Sequence, residues 1–134
     1  MTEFHLQIVT PDGLIYDGTA ERVVVRTITG EVGILANHID FVTALGMGQA
    51  RILMGGSVRK AACIGGMLTV TGGEVKIVAT TFEWAEDIDL ARAERAYSRA
   101  KERLDTPDLS AREIRIAEAK LKRALVRKGV ASDK

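Results

Sequence analysis

Hydrophobic and polar positions alternate with period two through the first two thirds of the chain. Phe4, Leu6 and Ile8 alternate with His5 and Gln7, and Pro11-Asp12-Gly13 follows as a turn. Val23, Val25 and Thr27 alternate with Arg22, Val24 and Arg26 before Gly30. Ile52 and Met54 lead into Gly55-Gly56, with Val58, Lys60 and Ala62 beyond it. Met67–Thr71 ends at Gly72-Gly73, after which Val75, Ile77 and Ala79 resume the alternation. A Gly-Gly pair between two such runs suits a two-residue hairpin, whose central residues need positive φ. Short strands at this spacing leave no room for crossover helices, so the pattern predicts an antiparallel sandwich or barrel.

From about Asp87 the period changes. Leu90, Ala93, Tyr97, Ala100 and Leu104 recur at alternating spacings of three and four, the seam of an amphipathic helix. Asp87 or Asp89 suits its N-cap, and Asp105-Thr106-Pro107-Asp108 ends it. Ser110-Ala111-Arg112-Glu113 has capping-box form, and Thr106 with Pro107 is an equally good start. Ile114, Ala117, Leu121 and Leu125 give the second seam, and the short connection makes the helices antiparallel neighbours. The expected fold is α+β: an N-terminal antiparallel β-sandwich over residues 1–86 and a C-terminal two-helix hairpin over 87–134. Both seams are rich in alanine and bury little area, so the hairpin depends on the body, a ligand or a partner for stability.

Composition sharpens this division. Twelve of the thirteen glycines precede residue 74. Residues 1–87 carry six Lys/Arg against ten Asp/Glu, net −4, whereas residues 88–134 carry thirteen against eight, net +5. The hairpin therefore favours polyanions: nucleic acid, phosphorylated ligands or an acidic protein surface. Cys63 is the single cysteine, which excludes an intramolecular disulfide, and its apolar surroundings predict a buried thiol. No apolar run reaches membrane-spanning length, and the strand-like alternation from Phe4 predicts neither a signal nor a transit peptide.

Catalytic constellations are missing from the sequence. The two histidines and one cysteine lack zinc-ligand spacing, and neither a nucleophile elbow nor a P-loop occurs. His5 falls on the polar phase of its strand and is expected to be exposed. Two segments carry more functional side chains than their elements need. The first runs from Thr27 to His38, and its plain reading is a tight connection with solvated Glu31 and His38. The second is Ile88-Asp89-Leu90-Ala91-Arg92-Ala93, with Arg95, Arg99 and Arg103 following and Arg123 and Arg127 one turn apart on the second helix. These arginines read either as a solvated face or as a clamp on a triphosphate, with Asp89 accepting hydrogen bonds from a base or ribose.

These segments, together with Ile8–Tyr16, Gly30-Glu31-Val32-Gly33-Ile34-Leu35, Asn37-His38, Gly65-Gly66-Met67-Leu68, Ala85–Asp89 and Leu121-Lys122-Arg123-Ala124, make the chain resemble the ε subunit of bacterial F-type ATP synthases over nearly its whole length. The resemblance implies a ten-stranded β-sandwich followed by an antiparallel helical pair. It also implies a non-catalytic central-stalk subunit without obligatory cofactor or metal, bound to the γ subunit and the c-ring. Its hairpin, when extended toward the α/β head, inhibits ATP hydrolysis. The implied location is peripheral, on the cytoplasmic face of the bacterial inner membrane. Carried over by position, Glu31, Val32, Gly33, Ile34 and His38 form the stalk and ring interface. Glu83, Ile88, Asp89, Arg92, Ala93, Arg99, Arg123 and Arg127 form an ATP site in the folded hairpin, with ATP a regulatory ligand. The chain departs from the family pattern at Ala36 and Asp40, where prolines are common, and at Met67 and Thr69. The alternative is a small nucleic-acid-binding or adaptor module using the basic hairpin; the scarcity of aromatic residues, six in the chain, argues against base stacking.

Overall fold

The computed structural model of the chain describes residues 2–132. It contains two compact units, Met1–Trp84 and Ala85–Lys134.

The first unit is built from eight strands: β1 (Phe4–Thr10), β2 (Gly13–Ala20), β3 (Arg22–Thr27), β4 (Gly30–Leu35), β5 (Phe41–Ala44), β6 (Met47–Met54), β7 (Ser57–Thr71) and β8 (Glu74–Trp84). Their order is β2-β1-β8-β7-β6-β3-β4, with β5 also paired to β7. All pairings are antiparallel except β1 with β8. The expected hairpins form at both Gly-Gly pairs. Gly55 and Gly56 have φ of 58° and 80°, Gly72 and Gly73 58° and 83°, the left-handed values a type I′ turn requires.

Eight strands replace the expected ten because β7 and β8 each serve both layers. The first half of β7 pairs with β6 and its second half with β5. The break lies at Gly65-Gly66, where φ is 70° and 110°. A Cβ on Gly66 would stand 2.0 Å from the Val78 carbonyl oxygen, so only glycine lets the two paired strands approach this closely here. One layer holds β2, β1, the start of β8, the end of β7 and β5; the other holds the remaining halves with β6, β3 and β4. Counted by layer, ten strand segments result, five on each side. Leu6, Ile8, Leu68 and Ile77 from one layer meet Val23, Val25, Ile34 and Ile52 from the other in a single buried core.

The second unit opens with a 3₁₀ turn, Ala85–Asp87, followed by α1 (Leu90–Leu104) and α2 (Ala111–Ser132). Asp89 is the N-cap of α1, its Oδ1 accepting from the Arg92 N–H at 3.1 Å. The capping box at Ser110 starts α2, rather than Thr106: Glu113 N–H donates to Ser110 Oγ and Ser110 N–H to Glu113 Oε1, both at 3.1 Å. The helices meet along alanines seven residues apart, Ala93 and Ala100 on α1 with Ala117 and Ala124 on α2, all buried. This corrects the expected second seam. Ile114 and Leu125 stand 39% and 53% exposed, because small side chains bring the backbones close and leave no room for larger ones. The longer α2 reaches beyond α1 to the 3₁₀ turn.

Candidate functional site

A groove of about 530 Å³ runs along the hairpin between α1 and α2. From α1 it is lined by Arg92, Ala96, Arg99, Ala100 and Arg103; from α2 by Glu113, Ile116, Ala117, Lys120, Arg123, Ala124 and Arg127. Helical spacing explains the grouping. Arg92, Arg99 and Arg103 fall at i, i+7 and i+11, whereas Arg95 is rotated onto the outer face of α1 beside Glu94 and Ser98. On α2, Glu113, Lys120, Arg123 and Arg127 repeat the same stripe. Six basic side chains thus face one groove with a single acid among them. That acid is engaged: Glu113 Oε2 accepts from Arg103 Nη2 at 2.6 Å. The bonds from Ser110, first its N–H and then its hydroxyl, hold the Glu113 carboxyl below the usual range, with a smaller contribution from Arg103. Arg92, Arg99, Lys120 and Arg123 have no ion-pair partner among the described residues. Like charges held this close raise the free energy of the folded hairpin, and a bound polyanion would relieve it. The groove therefore gathers positive charge along its length.

The comparisons with known proteins agree with one another over the whole chain. Residues 3–85 match the model of the ATP synthase delta/epsilon chain beta-sandwich domain, and residues 86–131 the long alpha-helix domain of the same chain. The chain belongs to the ATP synthase delta/epsilon chain family. Within the family it is 40% identical over 134 residues to the ATP synthase epsilon chain of Shouchella clausii, covering 100% of this chain and 98% of that one. It is 41% identical over 130 residues to the epsilon chain of Caldanaerobacter subterraneus, covering 96% and 94%. Among solved structures, it superposes with a TM-score of 0.82 at 25% identity on a chain of the Euglena gracilis mitochondrial ATP synthase, over 100% of this chain and 83% of that one. A chain from the central stalk and c-ring of the Tetrahymena thermophila enzyme shares the fold, with a TM-score of 0.69.

Of the ATP-site residues that the epsilon-chain resemblance carries over, the fold brings Arg92, Arg99, Arg123 and Arg127 into the groove. The other four are placed differently. Ala93 is buried in the helix–helix seam, and Ile88 is also buried, immediately after the 3₁₀ turn. Asp89 caps α1, which occupies one carboxylate oxygen and leaves further acceptor capacity. Glu83 belongs to the body, opposite Ala62 on β7, and the groove is lined without it. Sequence reasoning left out Lys120 and Glu113, although their seven-residue spacing on α2 was there to find.

On the body, Glu31 is bound to Arg51, whose Nη1 and Nη2 donate to its carboxylate at 3.3 and 3.4 Å. His38 bonds through Nδ1 to the Ile39 carbonyl at 2.7 Å and lies against Phe41. Val32 packs partly on the core, and Ile34 is fully buried against it, since alternate β4 residues point inward. Ile34 therefore offers a partner no side-chain surface. The apolar surface here belongs instead to Ile28, Leu35 and Ile39, which are 60–78% exposed. Cys63 is buried in the core, and burial pushes its thiol up to about 12. No described helix is long and apolar enough to cross a membrane.

Proposed function

We propose that this chain is the non-catalytic epsilon subunit in the central stalk of a bacterial F-type ATP synthase, coupling ring rotation to the catalytic head and restraining ATP hydrolysis through its hairpin. Full-length likeness to bacterial epsilon chains supports the stalk role, and so do the neighbours solved within F1/c-ring and central-stalk assemblies. By that reading its partners are the γ subunit and the c-ring, with Glu31, Val32, Gly33, His38 and the exposed Ile28, Leu35 and Ile39 at the contact. It reaches the head when the hairpin is extended, and it is membrane-peripheral through the complex.

The hairpin binds ATP when folded. The observation that carries this is the convergence of Arg92, Arg99, Arg123 and Arg127 on one groove. Guanidinium groups from two helices clamp a polyphosphate only while the helices lie side by side, so the nucleotide selects the folded hairpin. Abundant ATP keeps the hairpin folded, and scarcity releases it to inhibit.

Calorimetric titration of the full chain with ATP tests this. Binding is expected in the wild type, with a loss of about tenfold or more in Arg92→Gln and in Arg123→Gln, since bonds to charged groups contribute about 1.5–3 kcal/mol each. A wild-type chain that takes up no ATP refutes the sensor role and leaves the stalk role standing.

A further inference from the structure

The groove is longer than a triphosphate needs. The Arg103–Glu113 contact marks its turn end, where both helices begin their antiparallel run. Counting from there at about 1.5 Å per residue, Arg99 stands about 6 Å up the groove, Lys120 about 10 Å, Arg123 and Arg92 about 15–16 Å, and Arg127 about 21 Å. A cation thus recurs about once per turn along the whole length, and a triphosphate spans less than half of it. The walls between the cations are alanines and Ile116, with no aromatic face on which a base could stack.

A regular ladder of cations without stacking surfaces matches a linear polyanion that carries no bases. We propose that the groove binds inorganic polyphosphate longer than a triphosphate, with Lys120 filling the interval in the ladder and Arg103 holding phosphates at the turn end. The proposal rests on the reading of the groove as a phosphate site. Glu113 sets the boundary: it shares Arg103 and repels phosphates that approach the turn. An arginine has five N–H donors, so Arg103 serves both. Long polyphosphate and ATP then compete for one groove.

The test uses the full chain titrated with ATP, tripolyphosphate, medium-chain polyphosphate and a single-stranded oligonucleotide across a range of salt concentrations. A longer chain gains affinity from multiple registers alone, so the number of contacts is read from the salt dependence. Medium-chain polyphosphate is expected to give a steeper slope than tripolyphosphate, by about 0.7 per added phosphate contact. Arg103→Gln should lower that slope by about one contact while leaving ATP affinity within about twofold. Glu113→Gln should strengthen polyphosphate binding; glutamine also completes a capping box, so α2 keeps its start. Equal slopes for short and long phosphates overturn the proposal, as does an equal loss of ATP and polyphosphate in Arg103→Gln. So does oligonucleotide binding as tight as that of polyphosphate. If ATP binds and only the long chain fails to gain contacts, the inference falls alone. If neither binds, the phosphate reading of the groove falls with it.

Discussion

Gly66 and His5 show how single residues hold the body together. Gly66 holds β7 close against β8 with φ of 110°, and any Cβ there meets the Val78 carbonyl oxygen and the Ala79 Cα within 2.7 Å. Gly66→Ala combines a forbidden backbone conformation with a backbone clash and is expected to cost about 3 kcal/mol, measurable as a lower urea midpoint of the full chain. His5, exposed on β1, bridges Asp17 of β2 and Glu74 at the start of β8, with Nδ1 3.1 Å from Glu74. The bond to Asp17, then that to Glu74, raises its pKa above 6.5. A raised folded-state pKa means stabilisation fully present below pH 6.5 and lost as pH climbs through the folded value. The difference in melting temperature between wild type and His5→Gln should therefore be largest below pH 6.5 and shrink above it. A constant difference would reduce His5 to a packing role.

At the scale of elements, local chemistry made the helix starts legible, while close packing hid the seams. Caps have fixed residue types and spacings, so the sequence narrowed each start to two candidates, Asp87 or Asp89 and Thr106 or Ser110, and the structure selects Asp89 and Ser110. Asp89→Ala should destabilise α1 by about 1 kcal/mol, whereas Asp89→Asn should leave it nearly unchanged, since asparagine caps as well. Thermal loss of the helical circular dichroism signal separates the two. The Asn variant then isolates what the charge contributes to nucleotide binding. Periodicity misassigned Ile114 and Leu125 because large apolar residues usually mark the buried face, and here alanines do. Gly129, exposed within α2 with open space at its Cβ position, gives the opposite sign: Gly129→Ala should stabilise the helix by about 0.5–1 kcal/mol in the same assay. In the sheet, both Gly-Gly hairpins were readable from alternation on either side. The passage of β7 through Gly65-Gly66 was not, since a strand that changes layer resets its inward phase. For the groove, all four carried-over arginines converge as the helical stripe predicts, while Glu83 lies on another element, beyond what helical spacing can place.

Across the whole molecule, the two units differ in how much they can stabilise themselves. The body closes ten strand segments around aliphatic side chains from both layers, many of them fully buried. The hairpin meets along alanines and gathers six cations in one groove, so its own packing contributes little and its charges oppose closure. On the proposed reading, its folded population responds to a ligand that neutralises the groove. At a hundredfold excess over Kd, a ligand that binds only the folded form adds RT ln(1 + [L]/Kd), about 2.7 kcal/mol, enough to slow local opening roughly a hundredfold. Amide hydrogen exchange of the full chain resolves this. With ATP, exchange from the α1 and α2 amides should slow by about that factor, while the β1, β7 and β8 amides keep their rates because body opening does not release the ligand. Arg92→Gln should abolish the slowing in the helices and leave the strands as they were. If ATP slowed helices and strands by the same factor, the two units would open as one, and the nucleotide would be stabilising the chain without choosing a state of the hairpin.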